Sequence, residues 1–380
     1  VLLDLPFVYP PFAAVLFAPL ALLPLGLLKV LWTGAGVVLL AVVVFRCVPR
    51  AGWPVAVLLA VVATALDPVR TTLYLGQINI VLLALVVADL LGRPGSRLRG
   101  VGVGLAAAVK LTPLLFVVYL VATGRLRAAA AALATFAAAA GLGFLVAPAD
   151  SVRFWVDGTF LAADRISAVG GPSNHSLNGL FARLGAEGLP STAVAAVLGL
   201  VTIALAVRAH RAGDEPLAVT LCGLASAALA PFAWSHHYVW VVPLAVLLGA
   251  RALTGDRRAA TGLAVALATT VAVMTALPGP QVGPIPATGL ISVWPDATCC
   301  CSRRHWPSRP AGSAAGRPAA RGWSPAPARP RSGHDQLGDP GVGERLHLRR
   351  EGRLVPGDDG VLRAVEVLEV QQSPVAGEVA

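Results

Sequence analysis

A lysine, a pair of histidines and two side-chain amides stand where nearly everything around them is hydrocarbon. Lys110 interrupts the run GVGVGLAAAVKLTPLLFVVYL, Gln77 and Asn79 open the run LGQINIVLLALVV, and His236 and His237 sit in the corner PFAWSHHYVW. A lysine at the centre of a membrane helix costs about 2.5–3.5 kcal/mol on insertion scales, so polar groups at such depth point to a buried site. The plainer reading of Gln77 and Asn79 is a hydrogen bond between helices. Lys110 is suited to an anionic group, and the histidine pair to a hydrogen-bond or charge role toward a phosphate. A metal centre is disfavoured. Adjacent residues on a helix face different directions, and no cysteine or second histidine cluster lies near.

Composition names the elements that must hold these residues. The chain has 380 residues, 56% hydrophobic and only 13% charged, where a soluble domain carries roughly a quarter charged residues. Its mean hydropathy is +0.73. The apolar residues cluster in repeated runs of spanning length, which predicts an all-α, polytopic helical membrane protein. The net charge of +10 is not a nucleic-acid signal, because the basic residues fall in short loops between apolar runs. Cys47, Cys222, Cys299, Cys300 and Cys301 form neither a ligand pattern nor a disulfide framework.

Proline at positions 6, 10, 11, 19 and 24 argues against a straight first span and for a short interfacial helix after Pro11, entered through Tyr9. Residues 27–45, 53–66 and 73–91 read as spans, with Asp67-Pro68-Val69-Arg70 as a polar corner between the last two. Placing Arg46, Arg50, Arg93, Arg97 and Arg99 in the cytoplasm puts that corner outside. Residues 128–147, 189–207, 217–231, 238–253 and 259–277 also read as spans. Their basic ends fall inside only if Arg125 does too. Residues 100–124 must then enter and return on one side, as two half-helices of about ten residues reaching roughly 15 Å each. They meet at Lys110-Leu111-Thr112-Pro113. A single kinked span with a snorkelling Lys110 is the alternative.

This topology places residues 148–188 and the histidine corner outside. The long loop carries Arg165, Asn174 and His175 among other polar residues, a set suited to phosphate and sugar recognition. Ordinary loop solvation is the plain alternative for each. From about Ala297 the composition turns to Pro, Arg, Gly and Ala without periodicity, as in a disordered tail or a frameshifted reading of GC-rich DNA. Residues 1–296 are therefore read as the membrane domain and 297–380 as the tail.

Five pieces in order carry a resemblance. They are Phe7-Val8-Tyr9-Pro10-Pro11-Phe12 with Ala18-Pro19-Leu20; Gly76-Gln77-Ile78-Asn79; Lys110-Leu111-Thr112-Pro113; Asn174-His175-Ser176-Leu177-Asn178-Gly179-Leu180 with Arg183; and Trp234-Ser235-His236-His237-Tyr238. Together they make residues 5–295 resemble glycosyltransferase family 87, the actinobacterial GT-C-type enzymes that use polyprenyl-phosphate sugars. Where the chain has His175, the family more often has glutamine. The resemblance implies a GT-C-like bundle in the plasma membrane with its active site on the extracytoplasmic side. It implies a polyprenyl-phosphate-mannose donor and a glycolipid or lipoglycan acceptor. Transfer would invert a β-linked donor sugar to an α-linkage, with no cofactor and no obligatory metal.

On this reading Lys110 and His237, with His236 helping, face the donor phosphate. Gln77, Asn79 and Arg70 line the cavity, and Arg165, Asn174 and His175 face sugar or acceptor. The family's catalytic carboxylate follows its first span, which the resemblance places upstream of Val1. Asp4 does not clearly match that position. Asp67 is the remaining outer candidate, and its neighbour Arg70 favours the ionised form, which suits a binding partner better than a base. Arabinofuranosyl transfer, a lipid-linked-sugar transporter and an inactive truncated copy are the competing expectations.

Overall fold

A computed structural model describes residues 7–93, 95–162, 168–186 and 188–276. Among them lie fourteen α-helices and no strand. The helices are α1 (Pro11–Phe17), α2 (Leu25–Cys47), α3 (Gly52–Ala63), α4 (Asp67–Tyr74), α5 (Asn79–Leu90), α6 (Val101–Val109) and α7 (Leu115–Ala122). They continue as α8 (Leu126–Val146), α9 (Pro148–Ser151), α10 (Leu177–Arg183), α11 (Leu189–Arg211), α12 (Glu215–Ala228), α13 (Val241–Leu253) and α14 (Arg257–Ala276). The tail read from residue 297 onward lies outside the described residues.

Among the described residues, four helical stretches are long and apolar enough to cross a membrane: Leu25–Cys47, Leu126–Val146, Ser191–Arg211 and Ser235–Leu253. At 1.5 Å per residue, the 23 residues of α2 reach about 34 Å, enough for a hydrocarbon core of roughly 30 Å. Only 22% of the apolar window of α8 or α11 is buried in protein. Leu133, Leu142, Val194 and Leu200 face outward. Such faces are stable only against lipid, so the chain is a multi-pass membrane protein.

The span expected at 73–91 is corrected by the structure. The Asp67–Arg70 stretch is no corner; it opens α4, which lies at 79° to the segment Pro49–Ala63. The next helix starts only at Asn79. Gly76 separates the two with φ +63°, a left-handed conformation that glycine adopts without a Cβ penalty. The apolar pattern runs through this break, so hydropathy alone could not locate it.

The re-entrant segment is visible in the packing of α6 on α8. A Cβ on Gly100 would collide with the carbonyl oxygen of Ala128, and one on Gly104 with that of Ala132. Position 100 pairs with 128 and position 104 with 132, so the two helices run parallel. Parallel neighbours joined by one short helix require that helix to return, so α7 leads back to the level where α6 began. The start of α6 is pinned by Asp89, which accepts from the backbone N–H of Gly100 at 2.9 Å and of Val103 at 3.0 Å. Arg99 donates in turn to the carbonyls of Leu90, Gly92 and Arg93. These bonds satisfy the open backbone groups at both helix ends.

Gly104→Ala should lower stability by about 1–3 kcal/mol, since the added methyl meets backbone that cannot rotate away. Gly141 on α8 has open space around its Cβ position. Gly141→Ala should be neutral or stabilise by about 0.5–1 kcal/mol. Melting temperatures of the two variants in one detergent check the contrast.

Arginines from several loops and helix ends gather at one end. Arg46 reaches the carbonyl of Leu91 at 3.4 Å. Arg125 pairs with Glu215 at 2.6 Å, and Arg251 pairs with Asp214. The end of α2, the α5–α6 turn, the root of the α6–α7 hairpin, the α11–α12 turn and the end of α13 thus share one level.

Candidate functional site

The opposite end carries the polar residues singled out in the sequence. The break in the hairpin comes from Pro113, whose ring would clash with the carbonyl four residues back in a continuing helix. Lys110 is extended there (φ −150°, ψ 131°), and Thr112–Leu114 form one 3₁₀ turn before α7. The nine residues of α6 put Lys110 about 14 Å from the start of that helix, close to mid-bilayer depth.

Lys110 Nζ donates to Asn79 Oδ1 at 3.1 Å. It also lies 5.3 Å from the ring centroid of Tyr9, within cation–π range. Tyr9 Oη donates to Gln77 Oε1 at 2.6 Å. The turn at Gly76 therefore presents Gln77 and Asn79 to Tyr9 and Lys110. Three of the five resembling pieces meet in this cluster. Tyr9, read from sequence only as an interfacial residue, is a member of it.

The histidine corner is a 3₁₀ helix, Ser235–Trp240, leading into α13. It packs on α4, where Thr72 Oγ1 donates to the carbonyl of His236 at 3.3 Å. The two histidines differ in role. His236 is buried, stacked on His237 at 4.8 Å and beside the tilted ring of Trp234 at 5.3 Å. Neither of its ring nitrogens has a hydrogen-bond partner. His237 lines a small cavity with Asn79, Thr112, Ser226, Phe116 and Trp240. Its Nδ1 lies 2.9 Å from the backbone nitrogen of Trp234. The Trp234 carbonyl oxygen lies farther from Nδ1, at 3.2 Å; on the shorter contact the amide N–H can only donate, so Nδ1 accepts and the neutral ring carries its proton on Nε2.

The cavity measures about 20 Å³, room for roughly one water or one phosphoryl oxygen. Asn79 is 6% exposed, its Oδ1 is taken by Lys110, and its Nδ2 has no hydrogen-bond partner. Lys110 thus orients the Asn79 amide as Trp234 orients His237, and each leaves an N–H donor on a cavity-lining side chain. A sugar does not fit in this volume. The arrangement is a pair of neutral donor side chains, Asn79 and His237, beside the space of a single oxygen, with the Lys110 ammonium bonded to Asn79.

The long loop docks onto the same corner and corrects one reading. Asn174 does not face a sugar: it is fully buried. Its Nδ2 donates to the carbonyl of Val169 at 3.0 Å. Its Oδ1 accepts from Ser176 Oγ at 2.7 Å, the Ser176 N–H at 3.1 Å and the Ala233 N–H at 3.1 Å. Ser176 then caps α10 through the N–H of Gly179, and Arg183 ties the carbonyls of Gly171 and Asn174. His175 joins the corner by its backbone, donating to Ala233 O at 2.7 Å and accepting from Tyr238 Oη at 2.8 Å. The motif works as a folding clamp, because local Asn and Ser bonds close turns whose backbone groups would otherwise be buried unpaired. Arg165 lies outside the described residues.

Asp67 and Arg70 pair within α4 at 3.1 Å, and Thr71 donates to the same carboxylate oxygen at 3.3 Å. Of the three residues expected to line the cavity only Asn79 does; Arg70 and Gln77 are not among its lining, and Gln77 is held by Tyr9 instead. Among the described residues no group of three or more His, Cys, Asp or Glu side chains could hold a metal ion.

One cluster escaped the sequence reading. At the basic end Glu215 accepts from Tyr119 Oη at 3.0 Å and Arg125 Nη1 at 2.6 Å, and meets His210 Nδ1 at 2.5 Å. The Arg125 guanidinium stacks over Tyr119 at 4.7 Å. The cluster fastens the root of the α6–α7 hairpin to α11 and α12. Its members are 5 to 96 residues apart, and alone each looks like an ordinary end-of-helix polar group.

Helices of bilayer length, a basic end and a polar cluster at a broken helix toward the other end define a multi-pass helical membrane protein. A family model, glycosyltransferase family 87, matches residues 7–231. The chain belongs to that family. It is 36% identical over 283 residues (69% of this chain, 65% of the relative) to a polyprenol-phosphate-mannose-dependent alpha-(1-2)-phosphatidylinositol mannoside mannosyltransferase of Mycobacterium tuberculosis. The protein of that name from Mycolicibacterium smegmatis is 33% identical over 273 residues (64% of this chain, 62% of the relative). A polyprenol-phosphate-mannose-dependent alpha-(1-2)-phosphatidylinositol pentamannoside mannosyltransferase of M. tuberculosis is 38% identical over 258 residues (64% and 58%). The chain thus spans less than two thirds of the length of these curated relatives. No solved structure matches it.

Proposed function

We propose that the chain is the membrane core of a glycosyltransferase that moves mannose from a polyprenyl phosphate to a phosphatidylinositol-mannoside-type glycolipid, forming an α-linkage. The observation that carries this reading is a space the size of one oxygen lined by Asn79 and His237, with Lys110 bonded to Asn79 at a broken membrane helix. The activities named for the relatives support mannose over arabinofuranose. The shared basic end supports a cytoplasmic orientation of the Arg46, Arg99, Arg125 and Arg251 level by the positive-inside rule. The donor cluster then serves the extracytoplasmic half of the plasma membrane.

In the transfer, an acceptor hydroxyl attacks the anomeric carbon as the bond from that carbon to the phosphate oxygen breaks. The electron pair of the broken bond stays on the phosphate, so negative charge grows there. Fixed donors in a water-poor site stabilise growing charge far better than water does. The Lys110 ammonium and the His237 Nε2–H supply them. The cluster holds donors and no carboxylate, so it serves the leaving phosphate. The acceptor proton goes to a base elsewhere.

The test uses the full-length protein in liposomes with mannose-labelled polyprenyl phosphate and a phosphatidylinositol mannoside. The expected product is a labelled glycolipid that α-mannosidase cleaves. Label that crosses the bilayer without covalent transfer would show a transporter instead. Label taken only from a polyprenyl-phosphate arabinofuranose donor would move the reading to that sugar.

A further inference from the structure

We propose that residues 152–161 form an interfacial anchor laid into the phospholipid leaflet on the side of the donor cluster. The segment follows α8 and the single-turn α9 (Pro148–Ser151). Near the end of α8 a Cβ on Gly143 would lie 3.2 Å from the backbone nitrogen of Phe12 and 3.6 Å from Ser151 Oγ. The chain therefore leaves α8 beside α1 and its Tyr9 neighbour, at the level of the site. It then makes one π-helical turn, Val152–Val156, and a 3₁₀ turn, Thr159–Leu161.

The segment is braced by aromatic rings. Trp155 meets Phe136 of α8 edge-on at 5.8 Å and Phe154 edge-on at 4.8 Å, and the tilted ring of Phe160 lies 5.8 Å from it. This platform turns aliphatic side chains outward: Val156 is 72% exposed and Leu161 67%. Val152 is exposed as well. A water-facing loop has no reason to display them while three aromatic rings hold it still. The face continues the outward surface of Leu142, Phe144, Leu145 and Val146 on α8, which lies against lipid. Arg153 and Asp157 are exposed one position after Val152 and Val156, so a charged stripe runs beside the apolar one. An apolar stripe, a charged stripe and a half-buried tryptophan are what the boundary between headgroups and acyl chains accommodates.

The occupant is the upper acyl and glycerol region of phospholipid, and the inference does not rest on the transferase reading. The test places a single bimane-labelled cysteine at Val156, Leu161 or Asp157 in the full chain, with Cys299, Cys300 and Cys301 replaced by serine and the buried Cys47 and Cys222 by alanine. The labelled proteins go into phosphatidylcholine–phosphatidylglycerol vesicles, with retained melting temperature as the control for folding. Probes at Val156 and Leu161 should lose most of their emission to lipids brominated near the glycerol and little to aqueous iodide. The Asp157 probe should show the reverse preference. Iodide quenching at both Val156 and Leu161 would overturn the anchor in favour of a water-facing loop. Resistance to both quenchers, with disulfide capture between copies, would overturn it in favour of a protein interface.

Discussion

Lys110→Met is expected to lower mannosyl transfer by about 10²–10³-fold, the cost typical of losing one donor to a developing anion. Methionine keeps the length that packs over Tyr9 and removes the ammonium. The lost term belongs to the charged transition state, so turnover should fall while acceptor KM changes little. Stability should not fall with it. Lys110 is held at mid-membrane depth by Asn79 and the Tyr9 ring, and a neutral side chain removes a desolvation cost that these contacts only offset. Single-turnover transfer beside a melting curve is the measurement. Transfer within threefold of the unmodified protein would remove Lys110 from the phosphate site.

The second large effect lies at His237, and its sign depends on which atom does the work. Leucine there removes both the acceptor for the Trp234 N–H and the Nε2 donor, and should cost about 10²-fold in transfer. Glutamine supplies a carbonyl oxygen for the Trp234 N–H and an amide N–H in place of Nε2–H. Glutamine at the third position of a helix is also a normal capping residue. His237→Gln should therefore recover much of what His237→Leu loses. A general base cannot be replaced by an amide, so equal losses in the two variants would falsify the donor role. His236→Phe bears on the pair from the other side. His236 is buried between two rings with no hydrogen-bond partner at its nitrogens, so an aromatic replacement tests packing alone.

Much of this site was legible before the fold. Lys110, Gln77, Asn79 and the histidine pair stood out because a polar group in a hydrocarbon run is costly wherever the run folds. The hairpin was legible as well, from charge bookkeeping rather than from any local pattern. Basic ends at 93–99, 125–127, 208–211 and 251–258 can share one side only if 100–124 returns, and the parallel packing of α6 on α8 meets that requirement. The break at Gly76 was not legible. A glycine in an apolar run looks like any small membrane residue until its φ is known.

Sequence by itself thus determined the membrane class, the grouping of the basic loops and the short list of costly polar residues. These follow from transfer free energies and loop charges, which are properties of single residues and short windows. Tertiary structure alone decided which polar atoms face the cavity. Asn174 and His175 share one motif, yet the Asn174 amide is consumed by Ser176 within the loop and by the Ala233 N–H of the histidine corner. His236 and His237 are neighbours, yet only His237 lines the space beside Asn79. Tyr9 reaches Gln77 across 68 positions, and Tyr119 reaches Glu215 across 96. Such pairings depend on where packed helices bring distant side chains. Hydrogen-bond partners chosen at that distance leave no trace in a local sequence window.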